Sequence, residues 1–517
     1  MTLLGCTVRP AEHPNAARFA NGDAALLQGC YDCLIEARAE YRRWTAGRTH
    51  TEAITRTFEA DLLIALREKE LGIPPSDALQ EARGIAAELP REFEASRYLA
   101  LVDAVPPEQL GLPRRDAQAF VAAHAPVAAR IRTELRWLTE SRLRQPIRDY
   151  LRIALTCAYP DGDDANVATV PDGESTRPQP SPAFAARATN SPLLAYRDEI
   201  CDLTHTSSLA AVRTREPRFI ETSFFLANTE IAAFASTAAG QIKAHLAEVV
   251  ARFPTSPAVT YLAASYARLV DDCPQALPFY DRTLATQPNH EQALLGRMIC
   301  LTNLQRPQEA IVAATRLIDL APDNVAEAYY WRAWNRHVLV QINEARADIA
   351  TAKNLLAEPY VLSLAGILAY AQRDLDAAQG DLEAALAGAP ADCVARSYLA
   401  LVQQARKQWL IAGQVFEDAM TCYHARADDG TARIHSLQTQ ANADPVYRAR
   451  ELARLQSAVE SDIRQARRSA LAGAKCHANG KDARAARRLL DVASEDPTFA
   501  DDVDKLRKRL STADHLP

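Results

Sequence analysis

Three prolines set a period in this chain. Pro254, Pro288 and Pro322 follow one another at intervals of 34 residues, and Ala276 and Ala310 keep the same interval inside them. Proline lacks the amide donor and its ring clashes with the preceding turn, so it ends helices rather than continuing them. Between the prolines, "SPAVTYLAASYARLVDDCPQALPFYDRTLATQPN" and "NHEQALLGRMICLTNLQRPQEAIVAATRLIDLAPD" each hold two stretches of helical periodicity. The pattern continues with Ala345 one residue late, then through Gly366, Ala378, Leu382, Ala385 and Pro390, and through Ala412, Phe416 and Ala419. A degenerate last copy carries Gly473, Ala485, Leu489 and Pro497. A poorer first copy runs from Phe219 to Pro254.

Each copy reads as an antiparallel helix pair, A then B. Small residues (Ala264, Ala333, Gly366, Ala400, Gly473) mark where A meets B closely, and alanines 276, 310, 345, 378 and 412 open helix B. Tyr280, Ile349, Leu382 and Phe416 suit the gap between copies. One hairpin leaves an apolar face bare, so copies must stack to bury a continuous core. In period and residue types the region resembles the tetratricopeptide repeat family. The resemblance extends to bacterial repeat lipoproteins of unknown function. It implies an all-α fold, an α-α superhelix whose concave groove is lined by A helices, and protein or peptide binding there.

Carried over residue by residue, the family's groove positions are Tyr261, Ser265 and Arg268; Leu295 and Asn303; Tyr330, Trp334 and His337; Ser363 and Tyr370; and Ser397 and Gln404. Tyr330, Trp334 and His337 share one helical face, whereas Tyr329 and Trp331 read as packing residues. Aromatic residues of this kind dominate binding hot spots. The carboxylate clamp of chaperone-binding relatives needs Lys and Asn or Arg where this chain has Tyr261, Ser265, Tyr330 and Trp334. A peptide or loop held by aromatic and polar contacts fits better.

The expected division is a tail or lipoprotein tether over 1–22, an N-terminal helical region over 23–158, a Pro/Gly/Asp-rich linker over 159–192, a repeat array over 193–496, clearest at 256–420, and a capping helix and tail over 497–517. The N-terminal region shows helical periods without a clean 34-residue repeat. Divergent repeats and a separate bundle both fit it. Leu3-Leu4-Gly5-Cys6 resembles a lipobox without its charged and apolar leader. Either a signal peptide encoded upstream has been lost and Cys6 is lipidated, placing the protein outside the cytoplasm, or Cys6 sits in a floppy terminus of a cytoplasmic protein.

Chemistry is sought without result. P-loop, dinucleotide-binding, zincin and nucleophile-elbow motifs are missing from the sequence. The pairs Cys422/His424 and Cys476/His477 lack four-ligand zinc spacing. A net charge of −6 disfavours nucleic acid as a partner, and the basic stretch "DIRQARRSALAGAKCHANGKDARAARRLL" reads as a solvated helix face. Acidic residues interleaved with Arg are likewise expected to be solvated. The ten cysteines read mostly as free, buried, apolar residues. Cys30 and Cys33 form a C-x-x-C, but with Asp23 as helix cap they fall two turns inside a helix, on one apolar stripe with Leu26 and Ala37. Core packing is the expected role. No cofactor, metal or catalytic residue is expected. The expected function is a non-enzymatic scaffold using the groove, with a lipid-anchored extracytoplasmic component of a bacterial envelope assembly as the alternative. An enzyme site hidden in the N-terminal region is the remaining reading.

Overall fold

The computed structural model describes residues 16–106, 117–159, 191–199, 207–232, 239–320, 326–440 and 444–513. Every element among them is helical. The chain divides into two compact units: the described residues of Met1–Ala235 with Gly240–Ala263, and those of Ser236–Ala239 with Ala264–Pro517.

The first unit holds α1 (Ala16–Gln28), α2 (Tyr31–Arg42), α3 (His50–Leu71), α4 (Ala78–Ile85), α5 (Ala95–Ala104), α6 (Ala117–Glu140), α7 (Gln145–Ala158), α8 (Pro192–Glu199), α9 (Ser207–Arg215), α10 (Glu221–Ala232) and the described part of α11 (Ala239–Arg252) from Gly240 on. Two boundaries differ from the sequence reading. Helix α1 begins at Ala16, inside the stretch assigned to a tail, because Phe19 is buried beside Tyr41. The described residues of 193–235 and 240–263, grouped with the repeats by sequence, belong to the first unit, where Leu193, Tyr196, Phe219 and Phe225 are buried. Of the expected linker, residues 160–190 lie outside the described residues.

Helix α3 is the axis of this unit, and it corrects the expectation that acidic residues among arginines are solvated. Glu59, Asp61, Arg67, Glu68 and Glu70 are all buried. Each buried charge has a partner, as desolvation demands. Arg67 donates to the Gly29 carbonyl at 2.6 Å and lies 3.4 Å from Glu70. Tyr150 donates to Glu70 at 2.6 Å, and Arg144 pairs with Glu59. Asp61 lies 3.2 Å from Arg38, yet burial outweighs that cation and lifts its carboxyl to about 7.

The second unit contains the repeats. The pairs are α12 (Pro257–Leu269) with α13 (Cys273–Thr286), α14 (Glu291–Asn303) with α15 (Pro307–Leu320), α16 (Ala326–Val338) with α17 (Ile342–Leu355), α18 (Pro359–Ala371) with α19 (Leu375–Gly388), and α20 (Cys393–Ala405) with α21 (Trp409–Thr439). Then come α22 (Pro445–Asn479), α23 (Ala483–Ala493) and α24 (Ala500–Ala513). The unit boundary falls inside α12.

The local chemistry repeats with the helices. Each A–B turn contains one left-handed residue: Asp271, Gln305, Val340, Arg373 and Lys407, at intervals of 34, 35, 33 and 34 residues, and again at Lys481. Asp272, Asp374 and Asp482 then cap their B helices by accepting the Gln275, Ala377 and Ala485 amides. Ala276, Ala310, Ala345, Ala378 and Ala412 are fully buried, and Tyr280, Ile349, Leu382 and Phe416 nearly so. At Gly366 an added Cβ would stand 2.6 Å from Leu382 Cγ, so only glycine permits this A–B approach. Val503, Leu506 and Leu510 of α24 seal the last pair by packing on Ala470, Leu489 and Leu490.

Helices α21 and α22 break the pattern. They run 31 and 35 residues, against 13 or 14 for the other helices of the five pairs. Past Tyr423, which packs on Cys393 at the start of α20, α21 continues for roughly 24 Å at 1.5 Å per residue. The two long helices pair along an apolar seam of Leu437 and Leu455 with Ile434 and Leu452. The sequence reading put Ala412 and Phe416 in one repeat and Gly473 in a degenerate last one, without foreseeing the long hairpin that joins them.

Candidate binding face

Successive A helices touch one another directly. Asn335 of α16 donates to Thr302 Oγ1 of α14 at 2.8 Å. The Tyr330 ring of α16 meets Tyr360 of α18 edge-on at 4.8 Å, and Tyr370 of α18 meets Tyr398 of α20 at 5.8 Å. The A row is therefore tightly packed from repeat to repeat, and it carries the aromatic side chains.

Helix α16 presents the densest face. Tyr330, Trp334 and Val338 recur at one helical position, with Trp334 exposed to 37% and Val338 to 53%. Burial and the neighbouring Tyr360 push the Tyr330 phenol up to about 12, so it acts as a neutral donor. His337 is half-buried, and desolvation lowers its pKa, favouring the neutral imidazole. Tyr329 packs between repeats, against Ala333 on one side and the Leu294 cluster on the other. Trp331 stacks edge-on with Tyr330.

The other sequence-derived positions divide. Asn303 and Arg268 are exposed, and Ser265 and Tyr370 are half-buried. Gln404 is drawn against Cys476 of α22, 3.8 Å away. Ser363 is buried, so it belongs to the core and not to a groove. Leu295 packs on the Leu294 and Leu317 cluster, and Ser397 donates back to the Cys393 carbonyl at 2.9 Å. Tyr261 falls in the first unit and is half-buried there. Cys6 lies outside the described residues. Among the described residues no cluster of three or more His, Cys, Asp or Glu could hold a metal ion, and no helix is long and apolar enough to cross a membrane.

The cysteines correct the sequence reading most sharply. Cys30 is joined to Cys33, Cys273 to Cys300 and Cys393 to Cys422. Cys476 is free and buried. Cys30 and Cys33 are fully buried beside Leu26 and Ala37, as the apolar stripe implied. Cys30 does not lie inside a helix, however, and Cys33 falls in the first turn of α2 rather than two turns in. Gly29 takes a left-handed φ of +78°, α1 ends, and Cys30 becomes the N-cap of α2, its Sγ accepting the Cys33 amide at 3.0 Å. Asp23 is no cap: it sits within α1 and accepts from Tyr41 at 2.6 Å. The break is enforced by tertiary packing, since an added Cβ on Gly29 would meet Leu193 at 2.6 Å.

A two-helix unit recurring about every 34 residues, with alanine at the helix B contact and a left-handed residue in each A–B turn, makes the second unit a tetratricopeptide-type solenoid. No family model and no curated protein matches the chain. Solved structures of tetratricopeptide proteins resemble part of it. MamA from Desulfovibrio magneticus RS-1 is 16% identical over 33% of this chain and 96% of its own, with a TM-score of 0.31. YrrB, described as having an unusual peptide-binding site, is 13% identical over 37% and 97%, with a TM-score of 0.32. PilW, a type IV pilus biogenesis factor, is 19% identical over 48% and 97%, with a TM-score of 0.34. Likeness at this level carries no argument about what this chain does.

Proposed function

We propose that this chain is a non-enzymatic scaffold that holds a peptide or protein segment on the A-helix face of its repeats, with Trp334 as the anchor. The supporting observation is that Trp334 keeps 37% exposure on the A-helix row, one turn from Tyr330 on one side and from exposed Val338 on the other. Tryptophan offers a large apolar surface with one donor and little rotamer entropy to lose, which suits an anchor. The neutral His337 and the exposed Asn303 supply polar contacts nearby on the same row. Affinity capture with the intact chain tests this. The Trp334→Ala, Tyr330→Ala double variant should lose the captured partner while keeping its helical circular dichroism. Unchanged capture would overturn the assignment.

The cysteine pairs favour the extracytoplasmic alternative. The Cys30–Cys33, Cys273–Cys300 and Cys393–Cys422 disulfides suit an oxidising compartment, because cytosolic thiols are kept reduced. Lipid anchorage through Cys6 is a separate step in that reading. Labelling with a palmitate analogue, with Cys6→Ser as the control, separates anchorage from compartment. Alkylation of the protein taken directly from cells into denaturant reads the compartment: blocked cysteines support it, and freely alkylated ones refute it.

A further inference from the structure

Three aromatic rings meet at right angles beside Trp334. Tyr330 is rooted in the core, packed against the cluster of Ala333, Val361 and Leu364. Trp331 stands 5.2 Å from it at an interplanar angle of 73°, and Tyr360, at the start of α18, stands 4.8 Å away at 88°. Trp331 is half-buried and Tyr360 keeps 41% exposure, so the corner opens to solvent. Only the stacking of α18 on α16 brings Tyr360 to this place. The faces of such rings are the negative part of their quadrupole. Among the described residues no arginine or lysine of this chain stacks on the three; Arg332 lies instead over Tyr329, at 5.4 Å.

The charges around this corner have one sign. Glu327, in the first turn of α16, accepts from the Trp331 indole at a long 3.4 Å. Glu358 holds the N-cap position of α18, yet its carboxylate does not cap the helix. Both are exposed, and among the described residues neither pairs with a cation. Both act on the Tyr360 phenol, and no cation there offsets them. The cations of α16 are engaged elsewhere: Arg332 and Arg336 lie 2.7 and 2.6 Å from Asp348 of α17. A guanidinium or ammonium group supplied from outside would meet ring faces and carboxylates together. Such groups are attracted to aromatic faces within about 6 Å and form strong bonds to carboxylates.

We propose that the corner of Tyr330, Trp331 and Tyr360, with Glu327 and Glu358, receives an arginine or lysine side chain, so that the partner held on this face is a basic peptide. Trp334 follows Trp331 by three residues and Tyr330 by four, about 5–6 Å along α16. Residues two apart in an extended segment span about 7 Å, so one segment can set an apolar side chain on Trp334 and a cation in the corner. The choice of partner rests on the binding role proposed above for Trp334; the affinity of the corner for a cation is read separately.

Fluorescence anisotropy with the full chain tests it. The probe is a labelled octapeptide of alternating leucine and arginine, and its counterpart has glutamine in place of every arginine. The arginine peptide should bind about fivefold more tightly. Tyr360→Leu, which keeps apolar bulk and removes the ring, should erase most of that preference, and so should Glu358→Gln at an exposed position. Neither should change binding of the glutamine peptide. Asp501→Asn removes the same charge from an exposed site on α24 and should leave the preference intact. An arginine peptide that fails to bind, equal affinity for the two peptides, or a preference that survives Tyr360→Leu or Glu358→Gln overturns the corner. A preference lost equally with Asp501→Asn also overturns it, since bulk charge would then be the cause. Trp334→Ala should weaken both peptides alike. If it does so while the preference is missing, the Trp334 face stands and the corner falls. If the preference follows Tyr360 and Glu358 while Trp334→Ala changes nothing, the corner stands and the Trp334 anchor falls.

Discussion

The guanidinium carbon of Arg67 lies 3.8 Å from the centre of the Tyr196 ring, and neither side chain reaches solvent. Phe219 stands 4.8 Å away, and Glu221 and Glu70 lie 3.8 and 3.4 Å from the Arg67 nitrogens. One cation thus organises α1, α3, α8 and α10. Replacing it with Met would leave buried Glu221 without the cation 3.8 Å away and Glu70 with Arg197 alone, at 3.3 Å. We expect Arg67→Met to destabilise the protein by about 3–5 kcal/mol, read as a shift in urea midpoint at constant slope. Arg67→Lys should lose nearly as much, since an ammonium cannot stack flat on Tyr196 while reaching the Gly29 carbonyl.

Non-reducing peptide mapping should recover Cys30–Cys33, Cys273–Cys300 and Cys393–Cys422. The latter two close loops of 27 and 29 residues. By chain entropy each should contribute about 3 kcal/mol, so a reductant should lower the melting temperature markedly. The short Cys30–Cys33 loop should contribute about half as much. Buried Cys476, whose thiol desolvation pushes up to about 11, should resist alkylation until the chain unfolds.

His290 caps α14, its Nδ1 accepting the Ala293 amide at 3.2 Å. Burial lowers its pKa, so the folded state holds the neutral ring and the unfolded state takes up a proton first. Stability is complete above the unfolded histidine value and falls as pH drops through about 6.5. His290→Asn keeps an acceptor at the cap and should flatten that part of the stability–pH curve, measured by thermal melts between pH 5 and 8 (a range of about 1.5 units either side of the free histidine value).

Gly366→Ala sets two effects against each other. Helix propensity favours alanine by about 1 kcal/mol. The new methyl would stand 2.6 Å from Leu382 Cγ and 3.2 Å from the Ala378 carbonyl. Overpacking of this kind costs about 1–3 kcal/mol. The net should be destabilising, and Gly366→Ala with Leu382→Ala should be less harmful than the sum of the two singles, measured as a double-mutant cycle.

The repeat array was legible in the sequence because its determinants are local and recur. Pro288 stops one helix, Ala310 opens another, and a hairpin of 34 residues needs only its neighbour to bury it. Trp334 could be put on one face with Tyr330 and His337 from spacing alone, whereas Ser363 could not be told from a surface residue, because its burial depends on which helices close over it.

What the chain order could not carry is whatever depends on distant segments meeting. Gly29 reads as a small residue within a helix; Leu193, more than a hundred residues away, turns it into a helix break that puts Cys30 at the cap of α2. Glu59, Glu68 and Glu70 read as solvated because charged residues usually are, until Arg144, Tyr31 and Tyr150 arrive from distant segments to satisfy them. Periodicity determined where this protein is helical and how its repeats stack. Tertiary structure alone decided that Cys273 pairs with Cys300 and Cys393 with Cys422, which charges are buried, and that the hairpin ending in Arg450 reaches Asp272, because each depends on segments far apart in the chain meeting in space.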